Sequence, residues 1–254
     1  MDPAPVTRTL GDDGVLVVSL ARPERRNAID AELAGALREA FESAADDAAV
    51  RAVILTGEGK AFSAGGDLSR FDRDWDPREF RHDSHRLTQL ISLVERLEKP
   101  TVAAINGMAT GAGTQLALAC DVRLIATGAR FVYREGRLGI IPSHGGVTRL
   151  VKLIGLARAR DVLLGGEEVS SGEALRLGLV TAVVAPAELM DAARERVALM
   201  LERSPQAYAA AKRLLWLAAN VDLESGMVAE GLAQSLLIGT DEHKLAVEEA
   251  RWRR

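Results

Sequence analysis

Four short segments, residues 15–20, 51–56, 101–105 and 122–126, are apolar almost without a break, and stretches of helical periodicity lie between them. A strand that is apolar on both faces must be covered on both faces. The alternation therefore predicts an α/β fold with a largely parallel sheet packed between helices. Asp30 stands where a helix cap belongs, and Leu33, Ala36, Leu37, Ala40 and Phe41 share one face of a helix running to about Ala45. A second helix is expected over residues 87–98, stopping ahead of Pro100. From about Gly146 the pattern turns mostly helical, with helices near 147–154, 157–164, 171–177, 186–203, 205–220 and 222–237 and one short strand at 179–184. Pro205 suits a first helical position.

The chain has 254 residues, 48% of them hydrophobic, so a sizeable core can form. Its 32 basic and 36 acidic side chains leave a formal charge of −4, which argues against a partner held through many phosphate contacts. No apolar run reaches the about 18 residues of a membrane span. The segment Met1-Asp-Pro-Ala-Pro-Val6 lacks the features of a secretory signal, so a cytoplasmic protein is expected. Cys120, the single cysteine, excludes an internal disulfide framework and a cysteine-rich zinc site. His82 and His85 have no obvious third ligand nearby, and no metal site is expected there.

Several familiar signatures fail. Gly59-Lys60 is followed by Ala61 rather than a hydroxyl residue, so there is no P-loop, and Leu116 occupies the place of the third glycine of a dinucleotide fingerprint. Neither Ser63 nor Ser143 has the upstream glycine of a nucleophile elbow. Residues 70–86 mix five arginines and five acidic residues with Phe71, Trp75 and Phe80. A mixed charge run is ordinarily a solvated face; the three aromatics suggest that one side covers something apolar, as a lid does.

Two turns invite a chemical reading. Phe62-Ser-Ala-Gly-Gly-Asp67 follows a strand and is built from small residues, which lets backbone N–H groups approach a ligand. Asn106-Gly-Met-Ala-Thr-Gly-Ala-Gly-Thr-Gln115 does the same where a helix opens with free N–H groups and the positive end of its dipole. Two such turns can aim two donors at one developing oxyanion, although composition alone favours two ordinary tight turns. Glu135 follows an apolar segment, a setting that raises a carboxyl pKa and suits proton transfer. Arg134 and Arg137 oppose this if they point inward, and a lone Glu is more often a surface residue.

Taken in order, the stretches Arg22-Pro-Glu-Arg-Arg-Asn-Ala28, Ala61-Phe-Ser-Ala-Gly-Gly-Asp-Leu68, Lys99-Pro-Thr-Val-Ala-Ala-Ile-Asn-Gly107, Cys120-Asp121 and Leu138-Gly-Ile-Ile-Pro142 with Gly145-Gly146 resemble the enoyl-CoA hydratase/isomerase (crotonase) superfamily. Leu163-Leu-Gly-Gly166 and Ala174-Leu-Arg-Leu-Gly-Leu-Val180 extend the match over roughly residues 10–240. The resemblance implies a crotonase-like spiral of ββα units over residues 1–195 and a helical region over 196–254 that assembles a homo-trimer or a dimer of trimers. It also implies an acyl-CoA thioester substrate, with no cofactor and no metal. By the same resemblance the oxyanion hole is the N–H of Gly66 and that of Ala112, where the family usually has glycine. Arg25, Ala28, Ala64 and Leu68 map to the CoA-binding rim beside Gly65 and Asp67, and Lys212 to a neighbouring subunit's CoA. Asp67 and Asp121 read better as turn or cap residues than as catalysts.

Two departures matter. Hydratases of the family carry two glutamates that hold water; Glu135 matches the second, and Gln115 stands at the first. Glutamine can hydrogen-bond water but cannot take its proton, and losing an acid–base group costs about 10²–10⁴-fold in rate. A single carboxylate suffices for moving a double bond, so isomerisation is favoured, with hydration by Gln115 and Glu135 as the alternative and a catalytically dormant binding protein as the third reading. The family's usual C-terminal ending is also missing, which bears on the CoA 3′-phosphate. His144, where many relatives have a small residue, is either a polar pocket residue or a neighbour of a helix cap.

Overall fold

The computed structural model describes residues 4–72, 74–166 and 168–252. In chain order the strands are β1 (Val6–Leu10), β2 (Val15–Leu20), β3 (Ala52–Gly57), β4 (Ala61–Ser63), β5 (Thr101–Ile105), β6 (Met108–Thr110), β7 (Val122–Ala126), β8 (Arg130–Val132), β9 (Glu168–Ser170) and β10 (Ala182–Val184). The helices are α1 (Ala31–Asp46), α2 (Pro77–Arg96), α3 (Gly111–Ala119), α4 (Gly146–Ile154), α5 (Leu156–Arg160), α6 (Ser171–Leu177), α7 (Leu189–Leu201), α8 (Pro205–Ala218), α9 (Leu223–Leu237) and α10 (Asp241–Trp252).

Two sheets form, one ordered β1-β2-β3-β5-β7-β10 and a smaller one ordered β4-β6-β8-β9. From β2 to β10 the large sheet is parallel, with Val53 opposite Thr101 and Val102 opposite Val122. Every residue of β3 and of β5 is buried, as strands covered on both faces require. Each turn of the chain places one strand in the large sheet, the next in the small sheet, and then a helix: β3-β4-α2, then β5-β6-α3. This is a crotonase-like spiral. Its consequence is that the turns after β4 and β6, on neighbouring strands paired in parallel, open on the same side.

The caps explain the helix starts. Asp30 Oδ1 accepts from the Leu33 amide at 2.9 Å and begins α1 as expected. The helix expected over 87–98 begins ten residues earlier, at Pro77, where Asp76 accepts from the amides of Arg78 and Glu79. Only Leu87, Leu90, Ile91 and Val94 of α2 are buried. Its first turns therefore carry no apolar period, and the Asp76-Pro77 cap was their only sequence signal. The helix expected near 157–164 is α5 continued by a π-turn at residues 161–165. Strand β1 and helix α10 had no counterpart in the sequence reading.

Leu189, Ala193 and Val197 of α7 are buried in the main core, so the division expected at residue 195 falls within a helix that belongs to the spiral. Beyond it, α8 has no buried residue and α9 only Gly226. Among the described residues, no helix is long and apolar enough to cross a membrane.

Candidate active site

The turn after β4 is held in place by the segment ahead of α1. Asn27, fully buried and at φ 55°, donates through Nδ2 to the carbonyls of Glu58, Ala61 and Phe62 at 3.0, 2.9 and 3.2 Å. Its own carbonyl accepts from Ser63 Oγ at 2.7 Å, and that hydroxyl in turn accepts from the Gly65 amide at 3.1 Å. The Ala64 amide donates to Arg26 O, the Ile29 amide to Gly65 O and the Asp67 amide to Ile29 O. Of the N–H groups from Ala64 to Asp67, all are thus bonded except one: among the described residues the Gly66 N–H has no acceptor, although the carbonyl of the same peptide, Gly65 O, is held by Ile29.

The second turn meets the first directly. Helix α3 starts at Gly111, so Ala112 lies in its first turn, where N–H groups lack intrahelical partners. Gly65 has φ +80°, and a side chain there would put Cβ 2.7 Å from Thr110 O; a Cβ on Gly111, at φ +52°, would fall 3.9 Å from Gly66 N. At Gly65 only glycine permits the approach, whereas at Gly111 there is room for a Cβ and the positive φ is what favours glycine. Gly66 and Ala112 then line one cleft of about 120 Å³ together with Ala64, Leu68, Glu135 and His144.

Glu135 follows β8 at the start of a short 3-10 turn that ends at Gly139. It is 8% exposed, and among the described residues neither carboxylate oxygen has a hydrogen-bond partner. Burial pushes its pKa up; the nearby amides of Glu135 and Arg134 oppose this without reaching bonding geometry. Arg134 does not neutralise it, because its guanidinium pairs with Glu168 at 3.0 Å on the surface. Beside Glu135 the hydroxyl of Tyr133 is buried and, among the described residues, has no partner; its pKa is raised by burial and by the Glu135 charge.

Gln115 is 1% exposed and is not among the residues lining the cleft. Gly146 covers it: a Cβ on Gly146 would fall 2.7 Å from Gln115 Nε2. Among the described residues, neither the Nε2 nor the Oε1 of Gln115 has a partner.

The remaining expected residues divide. Arg25 is near the turn, but its guanidinium binds Asp67 at 2.5 Å and reaches Asp30 at 3.5 Å. Asp67 caps the turn at residues 68–71; Ser69 and then Arg25 hold its carboxyl below the ordinary range. Ala28 is half-buried, and Leu68 is exposed. Lys212, which the resemblance assigns to a neighbouring subunit's CoA, does not line this chain's own cleft. It donates to Asp121 Oδ2 at 2.9 Å, an oxygen that also accepts from Thr101 N, Thr101 Oγ1 and Tyr208 OH. Asp121 is therefore a structural anchor between β5 and α8. Cys120 is buried, with its thiol pushed up to about 12 by burial and then by Asp121.

His144 lines the cleft at φ 56°. Its Nδ1 lies 3.0 Å from Thr88 Oγ1, and its carbonyl accepts from Arg149 at 2.6 Å. Arg149 forks onto both oxygens of Glu95 at 2.7 Å. Of residues 70–86, Arg70 and Phe71 also line the cleft. Sequence alone assigned no positioning role to Asn27, Ser63, Thr88 or Arg70. For Asn27 and Ser63 the signal was their place inside the matched stretches, and for Arg70 its place in the aromatic-bearing segment 70–86; Thr88 carried none. Among the described residues no group of three or more His, Cys, Asp or Glu side chains is placed to hold a metal ion.

Fold and cleft define a crotonase-type protein. Residues 11–249 match the family model described as Enoyl-CoA hydratase/isomerase, and the chain belongs to that family. It is 34% identical to the short-chain-enoyl-CoA hydratase of Clostridium acetobutylicum over 234 residues, 92% of this chain and 89% of that protein. It is 41% identical to the carnitinyl-CoA dehydratase of Salmonella arizonae over 219 residues, 84% of this chain and 80% of that one. The crystal structure of an enoyl-CoA hydratase from Bacillus anthracis superposes with a TM-score of 0.93 at 33% identity, covering 98% of this chain and 97% of that one. The chain is accordingly an enzyme of the hydratase/isomerase family, whose members act on acyl-CoA thioesters.

Proposed function

We propose that this enzyme moves the double bond of an enoyl-CoA through a thioester enolate. The Glu135 carboxylate takes a proton from C2 of a 3-enoyl thioester. The C–H electron pair passes into the C1–C2 bond, and the thioester oxygen takes the charge. The amides of Gly66 and Ala112 hold that oxygen, a stabilisation worth about 10²–10³ in rate per donor. The Glu135 carboxylic acid then protonates C4, the double bond settles between C2 and C3, and the carboxylate is restored. No group outside the chain is consumed. Arg25, Ala28, Ala64, Gly65, Asp67 and Leu68 form the rim for the CoA portion.

The observation that carries this reading is that Glu135 is the one carboxylate lining the cleft where the two amide-bearing turns meet. A raised carboxyl pKa suits a group that must both take and return a proton. Hydration of a 2-enoyl-CoA is the second reading, favoured by the names of the relatives. It asks Gln115 to hold water with Glu135, and Gly146 lies over that amide. Parallel assays with a 3-enoyl-CoA and a 2-enoyl-CoA of the same chain length decide between them. Faster isomerisation supports the first reading, faster hydration the second, and no turnover of either a dormant binding protein.

A further inference from the structure

We infer that the acyl group this cleft selects carries a carboxylate at its far end, so that the substrate is the CoA thioester of a short unsaturated dicarboxylic acid. The inference rests on the acyl-CoA reading above and specifies its acyl half.

Apart from the amides and Glu135, the cleft has apolar walls that include Leu68, Phe71 and Ile141, interrupted by Thr110, Ser143, His144 and two arginines. Arg134 is paired with Glu168, and among the described residues Arg70 is the one with an unsatisfied buried donor. The guanidinium of Arg70 sits among three aromatic rings, with centroids of Phe71, Trp75 and Phe80 at 5.9, 6.0 and 5.7 Å. One Nη binds Asp83. Nε is buried and, among the described residues, has no acceptor. A buried donor without an acceptor is costly, and an incoming carboxylate is the acceptor a guanidinium fork matches. The aromatic box and the Asp83 contact hold that fork in place before any ligand arrives.

His144 lies beside Arg70 in the same cleft. Thr88, Arg149 and, through Arg149, Glu95 fix it in a backbone conformation uncommon outside glycine. Burial, Arg70 and Arg149 push its pKa down to about 4, against the opposing pull of Asp83. The imidazole is therefore uncharged at neutral pH, first because it is buried. With Arg149 paired to Glu95 and Arg70 to Asp83, the polar group left over beside it is the Arg70 Nε donor, which an anion can satisfy and a cation cannot. Glu135 and Arg134 are the other ionisable groups lining the cleft; Glu135 is committed to the reacting carbons, and Arg134 pairs with Glu168.

Size limits the chain. The cleft is small, about 120 Å³, which suits an acyl chain of a few carbons. A larger cavity of about 530 Å³ lies between α1 and α2, and Arg70 lines it as well. An alkyl tail would have to pass a guanidinium to enter it, whereas a carboxylate would stop there.

Three unreactive ligands test this on the intact protein by calorimetry: butyryl-CoA, glutaryl-CoA, and the methyl ester of glutaryl-CoA, which keeps the length and removes the charge. Glutaryl-CoA is expected to bind at least tenfold tighter than its methyl ester. Arg70→Met should bring that ratio close to one and Arg70→Lys should recover part of it. Equal or weaker binding of glutaryl-CoA by the native protein overturns the proposal without any variant. So does an equal loss for all three ligands in Arg70→Met, which would assign Arg70 to the CoA phosphates. If butyryl-CoA and glutaryl-CoA bind alike, the acyl-CoA reading stands and only the carboxylate falls; if no thioester binds, both fall.

Discussion

Ser63 and Gly113 touch so closely that no methyl group fits between them: a Cβ on Gly113 would lie 2.5 Å from Ser63 Cβ and 2.8 Å from its Oγ. Ser63 belongs to the strand leading into the Gly66 turn, and Gly113 to the first turn of the helix that presents Ala112. Their contact sets the spacing of the two amides.

Gly113→Ala is expected to part the two turns by several tenths of an ångström and to lower kcat at least tenfold, with a smaller change in KM. A backbone donor contributes to rate only when its N–H points where the charge develops. Steady-state kinetics check this. Unchanged kcat would remove the role given to the Ser63–Gly113 contact.

Glu135→Gln is expected to lower turnover by about 10²–10⁴ while raising the melting temperature at neutral pH. The folded-state pKa of Glu135 is raised, so its favourable contribution is present below the ordinary carboxylate range and is lost as pH rises through the raised value. Above the raised pKa the carboxylate is a buried charge that, among the described residues, has no partner, and the amide relieves it. A variant with full activity would mean that another group carries the proton.

The pH profile of kcat/KM should fall on the acid side as Glu135 becomes protonated, with its midpoint above the ordinary carboxylate value because burial holds the charged form back. In Glu135→Gln that limb should be absent from the residual rate. A native midpoint at or below the ordinary value would contradict the buried setting of the carboxylate.

His144 gives a stability window of its own. Its folded pKa is depressed from 6.5 to about 4, so below about pH 6.5 the unfolded chain binds a proton that the folded chain refuses. Stability falls between about pH 6.5 and 4, by up to roughly 3 kcal/mol. Urea unfolding of the native protein and His144→Gln across this range should show a shallower decline in the variant.

The C-terminal helices expose Leu215, Leu223, Leu232 and Leu236 at 65–80% of their surface, which a lone chain has no reason to do. Sedimentation is expected to give a trimer or a dimer of trimers. Leu232→Asp with Leu236→Asp should shift the distribution toward smaller species. A monomeric native protein would leave this apolar face unexplained.

Much of this was legible in the chain itself, because it is encoded locally. The apolar segments that become β2, β3, β5 and β7 announce a covered parallel sheet by their composition. The Ala64-Gly-Gly-Asp67 and Gly111-Ala-Gly113 turns announce close backbone approach by lacking side chains, and Glu135 stands next to the apolar residues that bury it. Packing between distant segments decided the rest, since no local period records it. Gly146 closes over Gln115 although nothing in either segment foretells the other. Asp121 draws Lys212 inward through a contact between β5, the turn after α3, and α8. Arg70 and His144 line one cleft because α2, whose first turns have no apolar face, carries Thr88 against the turn ahead of α4. Sequence determines which groups can do chemistry; the fold determines which of them share a cavity, because a cavity is made of residues whose separation along the chain bears no relation to their separation in space.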